Sequence, residues 1–254
     1  MDARETYAAQ RDGARAALKV AGFGAADIDA LTGAGRDVIA LRARRARVAD
    51  ENVGATRLSG VPDLPAHGEW PSRPGWEYDF VGQLRLADIA AFDVHGLLPR
   101  EGVLSFFAGH DVSPSSEWQL AFRVEHYRDV PLSPVVGPRS AKLRGVDFEA
   151  VFFLPPPWSS WLPSLTRTTR YEDVYDSLYR LTTEPAFPAS GLLGFDRTNE
   201  GALDANERML LRLEHGESIP YRFEEMVNLC FVIEDEALAR REFSAVRAFE
   251  GASI

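Results

Sequence analysis

Apolar residues recur every three to four positions at Ala3, Tyr7, Ala14, Leu18 and Ala21, and Gly22 follows the last of them. That spacing predicts an amphipathic helix closed by a glycine cap. A second, short helix is expected over 25–31, ending at the glycines of 33–35. The period then changes to two. In "RDVIALRARRARV", Ile39, Leu41 and Ala43 fall on one face of a strand and arginines occupy the other.

From Tyr78, "YDFVGQLRLADIAAF" reads as a buried strand passing into a short helix that carries Leu86, Ile89 and Ala90. "VLSFFAG" follows as a strand after the turn at 99–102. Leu120, Phe122 and Val124 alternate with Gln119, Ala121, Arg123 and Glu125, and Val146, Phe148, Ala150, Phe152 and Leu154 keep the same period. Both segments are expected as half-buried strands. The clearest helical stripe is Tyr171, Val174, Tyr175, Leu178 and Leu181. In the final third, "SGLLGFDRTNEG" is a turn-rich lead-in, "RMLLRLEHG" and "NLCFVI" are strands, "EDEALARREF" is a short helix and "SAVRAFEG" a closing strand.

These elements predict an α+β fold with antiparallel-rich sheets and peripheral helices, including the N-terminal one. The segment "DVPLSPVVGPRSAKLRG" has three prolines and two glycines and is the best connection between halves. The division expected is an N-terminal helical segment, 1–35, and an α+β domain, 36–254, whose β-rich halves cover about 36–130 and 146–254. "SGVPDL" answers to "LGFDRT", "FVGQLRL" to "MLLRLEH" and "GVLSFF" to "NLCFVI", in the same order, which raises the question of a duplicated β unit.

Charge narrows the partners. Lys and Arg total 28 against 38 for Asp and Glu, a net charge of -10, which disfavours nucleic acid and anionic membrane and favours a protein partner with a basic surface. Arg42, Arg44, Arg45 and Arg47 lie together, but in an acidic chain a solvated strand face or internal ion pairs is the simpler account. Cys230 has no cysteine to pair with, the N-terminus lacks the apolar core of a signal peptide, and no segment approaches a membrane span. A cytoplasmic location is expected.

No catalytic residue, metal ligand or cofactor site is assigned. Gly22-Phe23-Gly24 follows a helix rather than a strand, and there is no phosphate-binding loop. The five histidines are scattered. Cys230 sits in the apolar run "LCFVI", where burial makes a thiol inert, and Glu234, Asp235 and Glu236 fit a helix start. Glu224 and Glu225 stay open. Trp70, Trp76, Trp158 and Trp161 all lie in Pro-rich connections, where they either lid the sheet or anchor a ligand. Gln83, an amide among apolar neighbours, either pins the backbone of the preceding turn or contacts a ligand.

The run from Thr56 to Gly109 resembles the YwqG-like family, a bacterial family of unknown function. The matching positions are Thr56, Arg57, Gly60, Pro62, Leu64, Pro65, Trp70, Pro71, Phe80 and Gln83, with "GVLSFF", "SGLLGF" and "LCFVIEDEALARREFSAV" further on. "GFDRTNEG" lacks the family's Gln, and Phe223, Glu224 and Glu225 stand where a Trp-Gly-Asp triplet is usual. The resemblance implies a mixed α and β fold with a repeated sheet unit and supplies no catalytic residues. The function expected is a non-enzymatic binding or interaction module, with neutralisation of a toxin as a special case. The alternative is an enzyme or small-molecule sensor built around Gln83, Glu224 and Glu225.

Overall fold

A computed structural model of the chain describes residues 2–66, 68–111, 120–138, 141–159, 162, 169–180, 190–195, 203–214 and 228–251. Its strands are β1 (Arg36–Arg45), β2 (Arg57–Leu58), β3 (Asp63–Pro65), β4 (Trp76–Arg85), β5 (Val103–Asp111), β6 (Leu120–Tyr127), β7 (Leu132–Pro134), β8 (Arg144–Phe153), β9 (Ser190–Gly194), β10 (Glu207–Glu214), β11 (Asn228–Glu234) and β12 (Arg247–Gly251). The helices are α1 (Ala3–Val20), α2 (Ala25–Ala34), α3 (Leu86–Ile89), α4 (Thr169–Arg180) and α5 (Asp235–Arg240).

Ten strands form one antiparallel sheet in the order β12-β11-β10-β9-β1-β8-β2-β4-β5-β6, while β3 and β7 pair by themselves. The sheet curls into a nearly closed barrel. Phe231 of β11 and Phe106 of β5 lie one strand in from opposite ends of the order, yet their rings meet edge to face at 5.1 Å. Phe122 of β6 reaches the same ring at 5.4 Å. Only closure brings such distant strands together, and β6 and β12 come into contact at the seam. The interior is filled by alternate residues of the wall, among them Ile39, Leu58, Leu84, Leu104, Leu192, Leu211 and Phe231.

The α+β expectation is therefore corrected: the fold is mostly β, and its few helices are peripheral. The physical reason lies in which segments bury both faces. β4 and β11 are buried along nearly their whole length, whereas α1 buries one side only, through Tyr7, Ala14 and Leu18. Those residues pack on the outer face of the barrel, against Val38, Ala150 and Phe152. Gln10 fixes the helix in place, its Nε2 donating to Ala150 O at 3.2 Å while its Oε1 accepts from Phe152 N at 2.6 Å. The Tyr7 hydroxyl lies 3.0 Å from Val38 O and 3.1 Å from Phe92 O.

The strand order is palindromic: β12 answers to β6, β11 to β5, β10 to β4, β9 to β2, and β1 to β8. Finer features obey the same correspondence. β4 shifts register against β5 between Phe80 and Gly82, and β10 shifts against β11 between Met209 and Leu211. Ser59 and Leu193 both take positive φ, 55° and 63°, just past β2 and near the end of β9. The first strands are exchanged, since β1 pairs with β8 and β9 while β8 also pairs with β2.

Four strands were not expected. β2 is two residues long and lies in what reads as the start of a turn. "SGLLG" reads as a turn because of its glycines, yet it pairs with β1 as β9. β3 and β7 are three residues each, too short for a period of two to register, and they join the first turn to the proline-rich connection.

Candidate functional site

Two buried polar positions stand out, one in each half of the palindrome. In the first half, Gln83 on β4 is fully buried. Its Oε1 accepts from Asp63 N at 2.9 Å, and its Nε2 donates to Ala55 O at 2.9 Å and to Asp63 Oδ2 at 2.8 Å. Asp63 Oδ2 also accepts from Gly54 N at 2.7 Å and from the Arg57 guanidinium. Asp63 and Arg57 are themselves buried. The amide thus ties together three stretches of backbone around the turn that precedes β4. Buried polar atoms need such partners, because each unpaired one carries its full desolvation cost.

A second network borders the first. Asp50 accepts from Arg44 Nη1 at 2.6 Å and from Arg47 N at 2.6 Å. The Arg44 hydrogen bond is the largest cause holding the Asp50 carboxyl below its usual range. Arg44 also donates to Asp147 at 2.8 Å, and Arg42 donates to Glu149 at 2.8 Å. Two guanidiniums of the arginine-rich strand are thereby engaged by acids of β8, each diagonally across the strand pair.

The described tryptophans divide between two apolar clusters. Trp70 donates its indole N–H to Tyr78 O at 3.1 Å and meets Phe107 edge to face at 5.7 Å. Trp76 joins the same apolar cluster and stacks beneath Arg73, whose Cζ lies 4.6 Å from the ring centre. Trp158 belongs to the cluster under α1 and α4, 5.8 Å from the Tyr175 ring. Trp161, Glu224 and Glu225 lie outside the described residues.

In the second half, the position that answers to Gln83 is Arg212. Gln83 faces Arg57 on β2 and Ser105 on β5, and Arg212 faces Gly191 on β9 and Cys230 on β11. Arg212 is 7% exposed. Its Nε and Nη1 are buried and have no hydrogen-bond partner among the described residues. The side chain lines a cavity of about 30 Å³, whose other walls are Val38, Phe153, Tyr175, Gly191, Gly194, Phe195 and Met209. The register shift in β10 puts Met209 and Arg212 on the same side of the strand, although they are an odd number of residues apart.

One wall is itself held by a cation. Arg36 donates to Gly194 O at 2.9 Å and to Glu207 O at 2.8 Å, and its Cζ lies 4.3 Å from the centre of the Phe195 ring. Burial, with Arg208 nearby, lowers its pKa to about 10, so it stays charged at neutral pH. The cavity therefore combines a buried cation, apolar walls and a fixed aromatic ring, the mixture expected of a small-ligand pocket.

Sequence reasoning missed Arg212, because in "RMLLRLEHG" it reads as an ordinary polar alternate of a half-exposed strand. The signal was present in the pairing of "FVGQLRL" with "MLLRLEH", which sets Arg212 against Gln83.

A family model described as a domain of unknown function (DUF1963) matches residues 56–249, a stretch that includes both Gln83 and Arg212. A comparison with curated proteins finds no match.

Proposed function

Because the chain belongs to the DUF1963 family of unknown function, its role has to be read from its own side chains, and we propose that it is a non-enzymatic binding module for a small anion. The observation that carries this reading is the buried guanidinium of Arg212, two of whose nitrogens have no partner among the described residues. Arginine does not lose its proton in a protein, so burial leaves a charge that calls for a counterion. The described lining of the cavity holds that cation and a phenol but no carboxylate, thiol or imidazole. That composition favours holding a ligand over transforming one.

Amide chemical-shift mapping with a panel of small sodium salts tests the proposal. Shifts confined to β1, β9 and β10 support it. Shifts scattered over the surface, or none with any salt, reject it.

A second reading, a protein partner with a basic surface, is favoured by the net charge of -10. Attraction of that kind steers association and weakens with salt. The native protein would then co-purify with a basic partner at low salt and release it at moderate salt. Recovery of no partner above background at either salt would reject this second role.

A further inference from the structure

We propose that the cavity beside Arg212 accepts a small monocarboxylate of acetate to propionate size, its carboxylate on the guanidinium and its alkyl end against the aromatic walls. This rests on the small-anion reading above and narrows it to one chemical class.

Charge sets the first limit. Of the two guanidiniums near the cavity, the half-buried Arg36 is already engaged by Gly194 O and Glu207 O, which leaves the positive charge of Arg212 unanswered among the described residues. Acids nearby in sequence are committed elsewhere: Glu207 accepts from Arg247 Nε at 2.9 Å and Nη2 at 2.6 Å, and Asp235 accepts from Arg208. Glu214, two positions along the same strand, makes no ion pair with Arg212 among the described residues. In the first half the corresponding amide is answered by Asp63 and Ala55 O. Arg212 has only Gly191 and Cys230 beside it in the register, and neither supplies an anionic oxygen. A monoanion balances the site; a phosphate dianion would carry a second charge into apolar walls.

Shape and size set the second limit. The cavity is small, about 30 Å³, which excludes bulky anions. That suits a carboxylate head with a short tail. The planar, two-oxygen carboxylate matches the guanidinium fork, whereas a tetrahedral anion turns further oxygens toward Phe153, Phe195, Val38 and Met209, where no donor awaits them. Gly191 contributes no side chain to fill the space beside Arg212.

The test titrates the full chain with sodium propionate, with propionamide, its neutral counterpart of similar shape, and with inorganic phosphate. Calorimetry gives the affinity, and the Arg212 side-chain Nε–H resonance reports the contact. Propionate is expected to bind and to shift that resonance, propionamide to leave both readouts unchanged, and Arg212→Met to weaken propionate about tenfold or more, the scale of a lost charge-assisted hydrogen bond. Without ligand, Arg212→Met is expected to unfold at the wild-type temperature or higher, because it removes an uncompensated buried charge. Arg212→Lys keeps the charge without the fork and serves if the methionine variant does not fold; it too is expected to bind propionate at least severalfold more weakly.

Equal binding of propionate and propionamide, or undiminished propionate binding by the Arg212 variants, overturns the proposal. Phosphate bound at Arg212 in place of propionate overturns the carboxylate class and leaves the small-anion reading standing. Silence of every anion overturns both.

Discussion

Gln83 and Arg212 occupy corresponding places in the two halves of the sheet, and among the described residues one is fully answered by its surroundings while the other is not. Around Gln83 the chain supplies a backbone amide, a carbonyl and a carboxylate, each within 2.9 Å. Around Arg212 the described residues supply a cavity instead. The contrast separates a structural polar position from one open to a ligand.

Gln83→Leu removes the acceptor of Asp63 N and the donor to Ala55 O while keeping most of the volume. Leaving such buried groups unpaired costs about 1–3 kcal/mol each, so the variant is expected to lose about 2–5 kcal/mol in urea unfolding. An unchanged midpoint would mean that the amide holds nothing together.

Asp50 and Glu207 link stability to acid pH. Hydrogen bonds from Arg44 and Arg247 are the leading causes that lower their folded-state pKa values from 3.8 and 4.5. A depressed carboxyl pKa contributes stability that is fully present above the unfolded value and drains as pH falls through the folded one. The unfolding free energy should hold from neutral pH down to about pH 5 and fall below it. In Asp50→Asn that acid slope should be shallower, as measured by denaturation between pH 3 and 6, a range set around the carboxylate values.

Gly102 takes φ 97°, and a Cβ there would lie 2.5 Å from Tyr127 O. Both the backbone conformation and the approach of a carbonyl exclude a side chain. Gly102→Ala is expected to lower stability by about 1–3 kcal/mol, read from its thermal midpoint against wild type. Gly96, also at positive φ but with nothing within 4 Å of its Cβ position, provides the comparison: Gly96→Ala should cost less.

A fragment spanning 36–130 is expected not to fold. It contains β1 and β2, but these strands do not pair with each other; β1 pairs with β8 and β9, and β2 with β4 and β8. Circular dichroism of the fragment should show no cooperative unfolding transition. A sharp transition would show that the first half closes by another pairing.

What the sequence disclosed follows the range of the interactions involved. The faces of β1 were legible because Ile39, Leu41 and Ala43 against the arginines is a local alternation, and the first two enter the barrel core with Ala43 packed against it. Helix α4 was legible for the same reason, through a stripe that buries Tyr171, Val174 and Tyr175. The barrel was not legible, because no local period records that Phe106 and Phe231 face one another across it. One parallel was a residue off: "GVLSFF" against "NLCFVI" sets Ser105 beside Phe231, whereas the register shifts set Phe106 there. A slip of one residue turns every side chain to the opposite face. For the candidate site, the sequence singled out the satisfied amide and passed over the unsatisfied guanidinium. Whether a buried polar group has partners depends on tertiary neighbours, and a strand pattern is blind to them.

The exchange of β1 and β8 also governs the order in which the molecule can assemble. The hairpins β4-β5 and β10-β11 close over short stretches of chain. The centre of the sheet, where Arg36 lies opposite Phe153 and Ile39 opposite Leu192, must wait for segments more than a hundred residues downstream. Contacts so distant in sequence slow folding, because the chain entropy of closing the loop is lost before the contact rewards it. During synthesis β1 therefore emerges before either strand it pairs with, and Arg42, Arg44 and Arg45 give it the flanking charge that limits aggregation of unpaired apolar strands.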